Sequence, residues 1–547
     1  MTSTAIFRAR RIRTMNPARP LATHVAVRDG RILGTGSLED LTGWGEYSLD
    51  ERFAEKVLLP GFVEGHSHLM EGALWRFIYV GYHDRLDPDG RIWPGARSLD
   101  AVIDRLASEN ARMTDSSHAL VGWGLDPIYL GVRRCDRNDL DRISKTRPVA
   151  ILHASLHIIN ANTAALEAAG YLRENIDHPG LPLARDGLPA GECRGPDAMA
   201  PLAAAVGLDR ELMAADSDAL RAFSRLCVRK GVTTATDLAA PMTPGSVEAL
   251  LSVTGEPGFP TRIVGLLRQL GQSPRQLIDR AIELRAKSTE RLRLGMVKLV
   301  TDGSIQGFSA RLRWPGYYNG LPNGLWYAAP EQVRATLVLA LASGVQVHAH
   351  TNGDEATDMV LDALEAALAE HPVRDHRFTL QHCQLADAAQ FLRMRALGLC
   401  VNLFANHTFY WGDAHFAQTV GPERAERMNA CATAIASGVP FAIHSDAPVT
   451  PLGPLFTAWC AVNRVTSGGR QLGGHERISV ADALRAITLG AAYTLKLDGE
   501  VGSIETGKRA DFAVLDADPI EVAPETLKDI GIWGVVANGR PVAAGSP

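Results

Sequence analysis

The sequence predicts an α/β protein, a TIM-like (β/α)8 barrel with a small β-sandwich domain formed by both chain termini. Two observations carry this prediction. From about residue 216 onward, short apolar runs typical of strands alternate with segments of helix length, which is the pattern of a parallel sheet with helical crossovers. The two ends of the chain instead contain short β-rich runs separated by turn residues.

The terminal segments supply the predicted sandwich. In residues 1–57, an Asp29-Gly30 turn separates two β-rich runs, and residues 493–547 show the same composition around Ala510–Leu515. We therefore assign these two segments to one sandwich and residues 58–492 to the barrel. Two unrelated terminal flaps are the alternative.

Composition narrows the class of protein. The 547 residues are 46% hydrophobic and 21% charged, which is typical of a soluble globular protein with a large core. A net charge of -5 gives no basic surface for nucleic acid, so we expect a small-molecule substrate and no nucleic-acid partner. The 7 cysteines are scattered without a C-x-x-C pair, which favours reduced thiols in the cytoplasm. No apolar run indicates a signal peptide or a membrane span, and a homodimer is a candidate assembly.

The motif LLPGFVEGHSHL, residues 58–69, is the first candidate for a functional site. It places His66 and His68 two positions apart after an apolar run. In an extended strand such residues share one face, and imidazole is a common ligand of zinc. The motif therefore indicates a metal-binding pair, with two polar loop residues as the alternative.

Aromatic residues are concentrated directly after this motif, in residues 72–115, and include Trp75 and Trp93. We predict that this segment is a lid-like insertion in the barrel and that the two indoles shape an apolar substrate pocket. An ordinary insertion that packs on the barrel rim is the alternative.

Four further polar residues each follow an apolar, strand-like run: Lys298, His350, His382 and Asp446. The active sites of such barrels lie at the C-terminal ends of the strands. We therefore expect these four residues to meet His66 at one mouth of the barrel. Nitrogen and oxygen donors of this kind suit zinc or a neighbouring divalent ion.

Lys298 lies in the apolar sequence VKLVTDG, where an unpaired charge is costly to bury. Desolvation lowers the pKa of a lysine, and a neutral amine can add carbon dioxide to form a carbamate. Such a carbamate can bridge two metal ions. The alternative is a buried ion pair between Lys298 and Asp302.

Two other strand ends add candidates. In GVQVHAH, period-two alternation puts His348 on the face of His350 but one layer deeper, where it supports the site or contacts substrate; a core histidine is the alternative. In PFAIHSDAPV, Asp446 shares a face with His444. Nearby cations would keep Asp446 ionised, so it can bind metal and act as the general base of a hydrolysis.

The motifs PGFVEGHSH, VKLVTDGS, HTNGD, LQHCQ, HSDAPV and GSIETGKRADFAVLD together resemble the amidohydrolase superfamily, specifically its branch similar to N-substituted formamide deformylase. The resemblance implies a barrel with a terminal β-sandwich. It also implies a metal site made by these residues: His66, His68, Lys298 as a carboxylated bridge, His350, His382 and Asp446. The segment SLHIINANTAAL resembles a motif of the branch and places His157 and Asn162 at substrate-binding positions.

Two departures from the family pattern are visible. Glu64 stands where the superfamily usually has aspartate, and Ser155-Leu156 replaces the small residues before His157. The first departure leaves the metal ligands in place. The second lies next to a predicted substrate-binding residue, so the substrate can differ from that of the branch.

The predicted function is that of a metal-dependent hydrolase of a C–N amide-type bond, in an N-substituted formamide, an N-acyl amine or a related amide. A metal-activated hydroxide attacks the carbonyl, and Asp446 is the catalytic base. The expected cofactor is a divalent metal, Zn²⁺, as one ion or as two ions bridged by the Lys298 carbamate. A hydrolase of esters, lactones or cyclic amides and a catalytically silent scaffold are the alternatives. The predicted substrate-binding residues are His157, Asn162, His348, Trp75 and Trp93.

Overall fold

The computed structural model describes residues 4–115, 118–130, 134–208, 216–269 and 271–545. Three large sheets organise this part of the chain: a barrel sheet of eight strands, a terminal sheet of seven and an insertion sheet of five. A small two-stranded hairpin pairs Arg85–Leu86 with Ile92–Trp93.

The barrel sheet consists of parallel strands that pair in chain order. Its strands are Phe62–Glu64, Val232–Ala240, Arg262–Arg268, Leu292–Val300, Val347–Thr351, Thr379–His382, Cys400–Leu403 and Phe441–Ile443. Just past the first and last strands, the His68 amide donates to the Ala447 carbonyl at 2.7 Å, and the Asp446 amide donates to the His66 carbonyl at 3.0 Å. These two hydrogen bonds join the ends of the sheet, which curls as the predicted TIM-like barrel requires.

Helices pack on the outer face and at the two ends of the barrel sheet. They are Ser217–Arg229, Pro244–Gly255, Pro274–Arg285, Pro330–Ser343, Asp354–Glu370, Ala388–Ala396, Asn406–Ala414, Gly421–Glu426, Cys431–Ser437, Pro454–Asn463, Val480–Ala486 and Leu489–Thr494. Local sequence sets their ends: Ser273 and Gln276 form a capping box at one start, and Gly344 ends another helix with a left-handed φ of 63°.

Side chains alternate between the two faces of each barrel strand. In the third strand, Ile263 and Leu267 pack outward with the helices, whereas Val264 and Leu266 belong to a buried cluster inside the barrel. This period of two is what the apolar strand-like runs of the sequence predict. It also determines which strand-end residue faces the mouth.

An insertion with its own sheet lies between the first and second barrel strands. Its strands are Ile78–Tyr79, Leu120–Leu125, Val149–His153, Ile158–Ala161 and Glu192–Arg194, and its helices include Leu99–Arg112, Arg137–Asp141, Thr163–Ala168 and Pro196–Ala205. The segment predicted to be lid-like, residues 72–115, belongs to this insertion: it supplies the edge strand and the longest of these helices. Trp123, Leu152 and Leu166 form part of its separate core.

The terminal sheet contains both ends of the chain. Its order is Arg540–Ala543, Ile532–Ala537, Phe512–Leu515, Tyr47–Pro60, Thr4–Arg13, Leu21–Arg28 and Arg31–Gly36. Leu59 pairs with Ala513, so the N-terminal and C-terminal segments join in one hydrogen-bonded sheet. A division of this sheet into the two layers of a sandwich stays a prediction.

Two turns in and beside this sheet depend on glycine. Asp29 and Gly30 both have positive φ, 52° and 70°, as a tight hairpin turn requires. Gly61 links the terminal sheet to the first barrel strand, and a Cβ atom there would lie 2.0 Å from the Thr233 hydroxyl oxygen. Only glycine lets the two sheets approach so closely at this joint.

All seven cysteines are buried reduced thiols, as the absence of a paired spacing predicts. Within the described residues, no helix combines the length and apolar character needed to cross a bilayer.

Candidate metal centre

The histidine pair lies where the first barrel strand ends. The Nε2 atoms of His66 and His68 are each 3.3 Å from Oδ1 of Asp446, which follows the last strand. Because the closing hydrogen bonds of the barrel join these two segments, the pair and the carboxylate are held together by the backbone. Three predicted ligands therefore meet at one point in the mouth.

His382 approaches the same point from the sixth strand. Its Nδ1 is 3.8 Å from Oδ2 of Asp446, and its ring centroid is 4.6 Å from that of His66. The preceding Gln381 side chain also faces the barrel interior, so strict alternation would turn His382 outward. A left-handed backbone at His382, with φ of 71°, accompanies this break in alternation.

His444 joins this cluster, although the sequence suggested it only as a neighbour of Asp446. Its ring stacks on His66 with centroids 4.7 Å apart and lies 5.0 Å from His382. The two-residue spacing of His444 and Asp446, just after the last strand, was the available sequence signal. His444 is therefore a further candidate ligand.

Asp446 is the shared partner of the cluster. Burial alone would raise the pKa of its carboxyl, but hydrogen bonding and charge from His68, with the charge of Lys298, hold this pKa below its usual value. Its backbone is left-handed, with φ of 55°. The carboxylate is therefore ionised at neutral pH and held in place by a sparsely populated backbone conformation.

Lys298 is buried at 2% exposure in the fourth strand, and its Nζ has no hydrogen-bond partner in the described structure. Burial lowers the pKa of Lys298 to about 7, against the opposing charge of Asp446. The alternative ion pair with Asp302 is not formed, because Asp302 instead accepts backbone N–H groups of Asn352, Gly353 and Arg311 at 2.9–3.0 Å. The lysine amine is thus shielded and partly neutral.

His350 lies at the edge of the cluster. Its ring centroid is 4.5 Å from that of His382, but its Nε2 is 3.2 Å from the Gly303 carbonyl oxygen and 3.4 Å from Oδ1 of Asp302. The structure therefore brings His350 to the site while its Nε2 is engaged with the loop after the fourth strand.

Two supporting residues were missed by sequence reasoning. Gln381 accepts from Nδ1 of His66 at 2.8 Å and donates to Nδ1 of His348 at 2.8 Å, which leaves Nε2 of His66 free to bind metal. Asp237 lies 3.9 Å from Nδ1 of His68. In sequence, each is visible only as a polar residue near the end of an apolar strand. Such partners orient metal ligands and fix their tautomers.

Gln381→Leu should lower metal affinity by about 10–100-fold, because His66 loses the partner that fixes its ring. Metal titration of the purified variant measures this change. Gln390→Leu is the matched control: this buried glutamine also makes two side-chain hydrogen bonds of 2.8 Å, but outside the site. If the Gln381 variant and the control bind metal with equal affinity, Gln381 does not support the metal site.

Two of the predicted substrate residues, His157 and His348, lie close to the metal centre at different depths. His157 lies near Arg268, Asp446 and His68, whose charges act on it. Burial, with the charge of Arg268, lowers the pKa of His157 to about 4. His348 is fully buried below the ligands and contacts Gln381, so it supports the site from the deeper layer.

Asn162 has a different role from the predicted one. Its side-chain oxygen accepts from the amides of Ala165 and Val149, and its amide nitrogen donates to the carbonyls of Ser144 and Arg147. These bonds cap the helix Thr163–Ala168 and hold the neighbouring strand, so the side chain offers nothing further to a substrate.

Trp75 and Trp93 belong to an aromatic cluster of the insertion. Trp75 lies 6.5 Å from Trp93 and 5.2 Å from Trp123, measured between ring centroids. Trp93 donates from its indole N–H to Asp87 at 3.0 Å. Their action on a substrate pocket stays a prediction.

The cluster fits a divalent metal ion. Buried polar atoms normally have hydrogen-bond partners, yet in the described chain the following have none: Lys298 Nζ, His382 Nδ1 and both ring nitrogens of His444. Two triads, His66-His382-His444 and His66-His68-Asp446, each bring one donor atom per residue within 4.8 Å of the others. A set of nitrogen and oxygen donors suits such an ion.

A curled parallel barrel sheet with this donor set at its mouth defines a metal-dependent hydrolase of the amidohydrolase type, a class that acts on C–N bonds. The chain belongs to the amidohydrolase family, which its residues 54–543 match.

Known relatives agree with this assignment. The chain is 28% identical to the putative amidohydrolase YtcJ of Bacillus subtilis over 95% of each chain, and 26% identical to the N-substituted formamide deformylase of Arthrobacter pascens over 96% of each. The crystal structure of an uncharacterized metal-dependent hydrolase from Pyrococcus horikoshii has the same fold. It matches with a TM-score of 0.73 at 21% identity, over 95% of this chain and 99% of that one.

Proposed function

We propose that the protein hydrolyses a C–N amide-type bond in an N-substituted formamide, an N-acyl amine or a related amide. The observation that carries this proposal is the group of imidazoles around the ionised Asp446 carboxylate in the barrel mouth. The similarity to an N-substituted formamide deformylase over nearly the full length supports the bond type.

The proposed cofactor is Zn²⁺, held by His66, His68, His382 and Asp446, with His444 as a further candidate. A second ion would use His350 and a carbamate on Lys298, whose shielded and partly neutral amine favours carbon dioxide addition. When bound, the metal lowers the pKa of water from ~15.7 to ~7 and polarises the carbonyl.

The protein's own residues handle the proton. The ionised Asp446 carboxylate can accept a proton from the attacking water and return it to the leaving nitrogen, as a general base and then a general acid. Burial lowers the pKa of His66 and His382 far below the usual value, so both imidazoles are neutral and free to bind metal. This division leaves Asp446 as the proton carrier.

Metal binding should release a proton below pH 8. Burial alone would lower the pKa of His68, but the carboxylates of Asp237 and Asp446 raise it to about 8. At pH 7 the metal-free imidazole is therefore protonated, and it must lose this proton before it binds metal. Metal affinity should fall by about tenfold per pH unit below 8, for the one proton displaced.

Calorimetry at pH 6.5 and 9 in buffers of different ionisation enthalpy counts the protons released. Asp237→Asn is the matched variant, because removal of one carboxylate should move the onset of proton release to lower pH. Zero protons released at pH 6.5 would contradict the assignment of His68 as a ligand.

The function is tested with purified protein stripped of metal and reloaded with Zn²⁺, Mn²⁺ or Co²⁺. We expect turnover of formamides or N-acyl amines only after reloading. If the enzyme prefers esters, lactones or cyclic amides, the proposed substrate class is wrong. Full activity without metal would refute the mechanism. If the protein retains no stoichiometric metal, the alternative of a catalytically silent scaffold is correct. Small-molecule specificity, a homodimer and a cytoplasmic location stay predictions.

A further inference from the structure

Arg268 is the last residue of the third barrel strand, and no motif singled it out. Val264 and Leu266, at alternate positions before it, lie in the cluster inside the barrel. Arg268 continues this register and pairs with Lys298 of the neighbouring strand. Its side chain therefore faces the mouth, beside the metal centre.

Among the residues that the structure describes, the guanidinium of Arg268 has no acidic partner. Its Nε atom is buried without a hydrogen bond, and within the described chain no carboxylate lies at ion-pair distance from it. Burial lowers the pKa of Arg268, with no opposing effect from a negative group. The residue is half-buried, and a cation with a buried, unpaired Nε atom is costly, so this guanidinium has capacity to pair with an anion.

The surroundings place this cation next to the predicted substrate position. Its charge acts on His157 and on Lys298 and, after burial, contributes to the lowered pKa of each. The His157 ring in turn lies 6.4 Å from that of Tyr327, measured between centroids. One side of the mouth is thus lined by a cation, a neutral imidazole and a phenol ring.

We propose that the substrate carries a carboxylate near its scissile amide and that Arg268 binds this group. A guanidinium presents two parallel N–H donors that match a carboxylate. The inference rests on the proposed function and narrows it to N-acyl amino acids and similar amides with an acidic group on the acyl or amine side.

A second anion could satisfy the same guanidinium, namely a carbamate on Lys298. This alternative makes a different prediction. Removal of Arg268 would then lower metal content and weaken turnover of every substrate equally, because the bridge itself would be affected.

The test compares wild type with Arg268→Met, using an N-acyl amino acid and its decarboxylated N-acyl amine. We expect wild type to prefer the acid. The variant should lose about 10²-fold in kcat/KM on the acid, the value of two charge-assisted hydrogen bonds, and less than about threefold on the neutral amide. Arg268→Lys should recover part of the loss.

Arg293→Met is the matched control. Arg293 lies at the opposite end of the neighbouring strand and pairs with Glu500 at 3.1 Å, so its removal should leave the preference for the acid unchanged. Equal losses on both substrates in Arg268→Met, or a loss of zinc from that variant, would overturn the proposal.

A binding measurement tests the role of Arg268 independently of the proposed amide hydrolysis. The probes are 3-benzoylpropionate, which cannot be hydrolysed, and its neutral counterpart butyrophenone, titrated calorimetrically into zinc-loaded protein. The affinity of the acid should fall at least tenfold in Arg268→Met, whether or not any amide is a substrate, and that of the ketone should not change. An unchanged affinity for the acid would place its carboxylate on the metal alone and refute the role of Arg268.

Discussion

Asp446→Asn is expected to lower kcat by about 10²–10⁴-fold, the usual contribution of general acid–base assistance. Asparagine keeps the size and one oxygen donor but cannot accept the proton. The imidazoles of His66, His68 and His382 should hold most of the metal, so metal analysis and kinetics on the same sample separate binding from chemistry. The pH profile should also lose its acidic limb, because this limb reports the coupled titration of Asp446 and the attacking water.

Asp237→Asn provides the control for this variant. Asp237 lies beside His68 and not beside the reacting atoms, so its loss should leave kcat of the metal-saturated enzyme close to wild type. If Asp446→Asn instead keeps near-wild-type turnover with its acidic limb, another residue is the base. His444 and His348 are then the next candidates.

Lys298→Ala should remove the second metal ion and abolish turnover. The amine is buried and has no hydrogen-bond partner among the described residues. At pH 7 its pKa of about 7 leaves roughly half of it neutral and able to form the bridging carbamate. Short carboxylic acids should restore part of the activity by taking the place of the missing bridge. Metal analysis and rescue with formate or acetate measure the two effects.

Lys230→Ala is the matched control, because burial also lowers the pKa of Lys230, at the end of a helix outside the mouth. It should retain full metal content. If Lys298→Ala binds metal as wild type does and responds to no added acid, the lysine is not a bridge and the single-ion site is correct.

Much of the site follows from one rule, that ligands stand at the C-terminal ends of barrel strands. This rule predicted that His66, His68, His382 and Asp446 would meet, and their contacts show that they do. Alternation along the strand also placed His348 one layer below the mouth. The two-residue period and the strand order need only local sequence information.

Other features depend on tertiary structure and have no local signature. Asn162 lies in a motif of the branch, but its hydrogen bonds cap a helix, and only the fold shows where its four bonds go. The left-handed backbone that accompanies the inward turn of His382 cannot be read from alternation. In sequence, Arg268 resembles any charged residue at a strand end; only the fold shows that no carboxylate of the described residues pairs with it.

The pairing of Leu59 with Ala513 has a consequence for how the molecule folds during synthesis. The strand Tyr47–Pro60 emerges early from the ribosome, but its partner Phe512–Leu515 is made only after nearly the whole chain. Until then one edge of that strand has unpaired N–H and C=O groups, which favours aggregation. Pairings this distant in sequence also slow folding. A chain that stops before residue 512 should therefore accumulate as insoluble protein even though every metal ligand has already been translated.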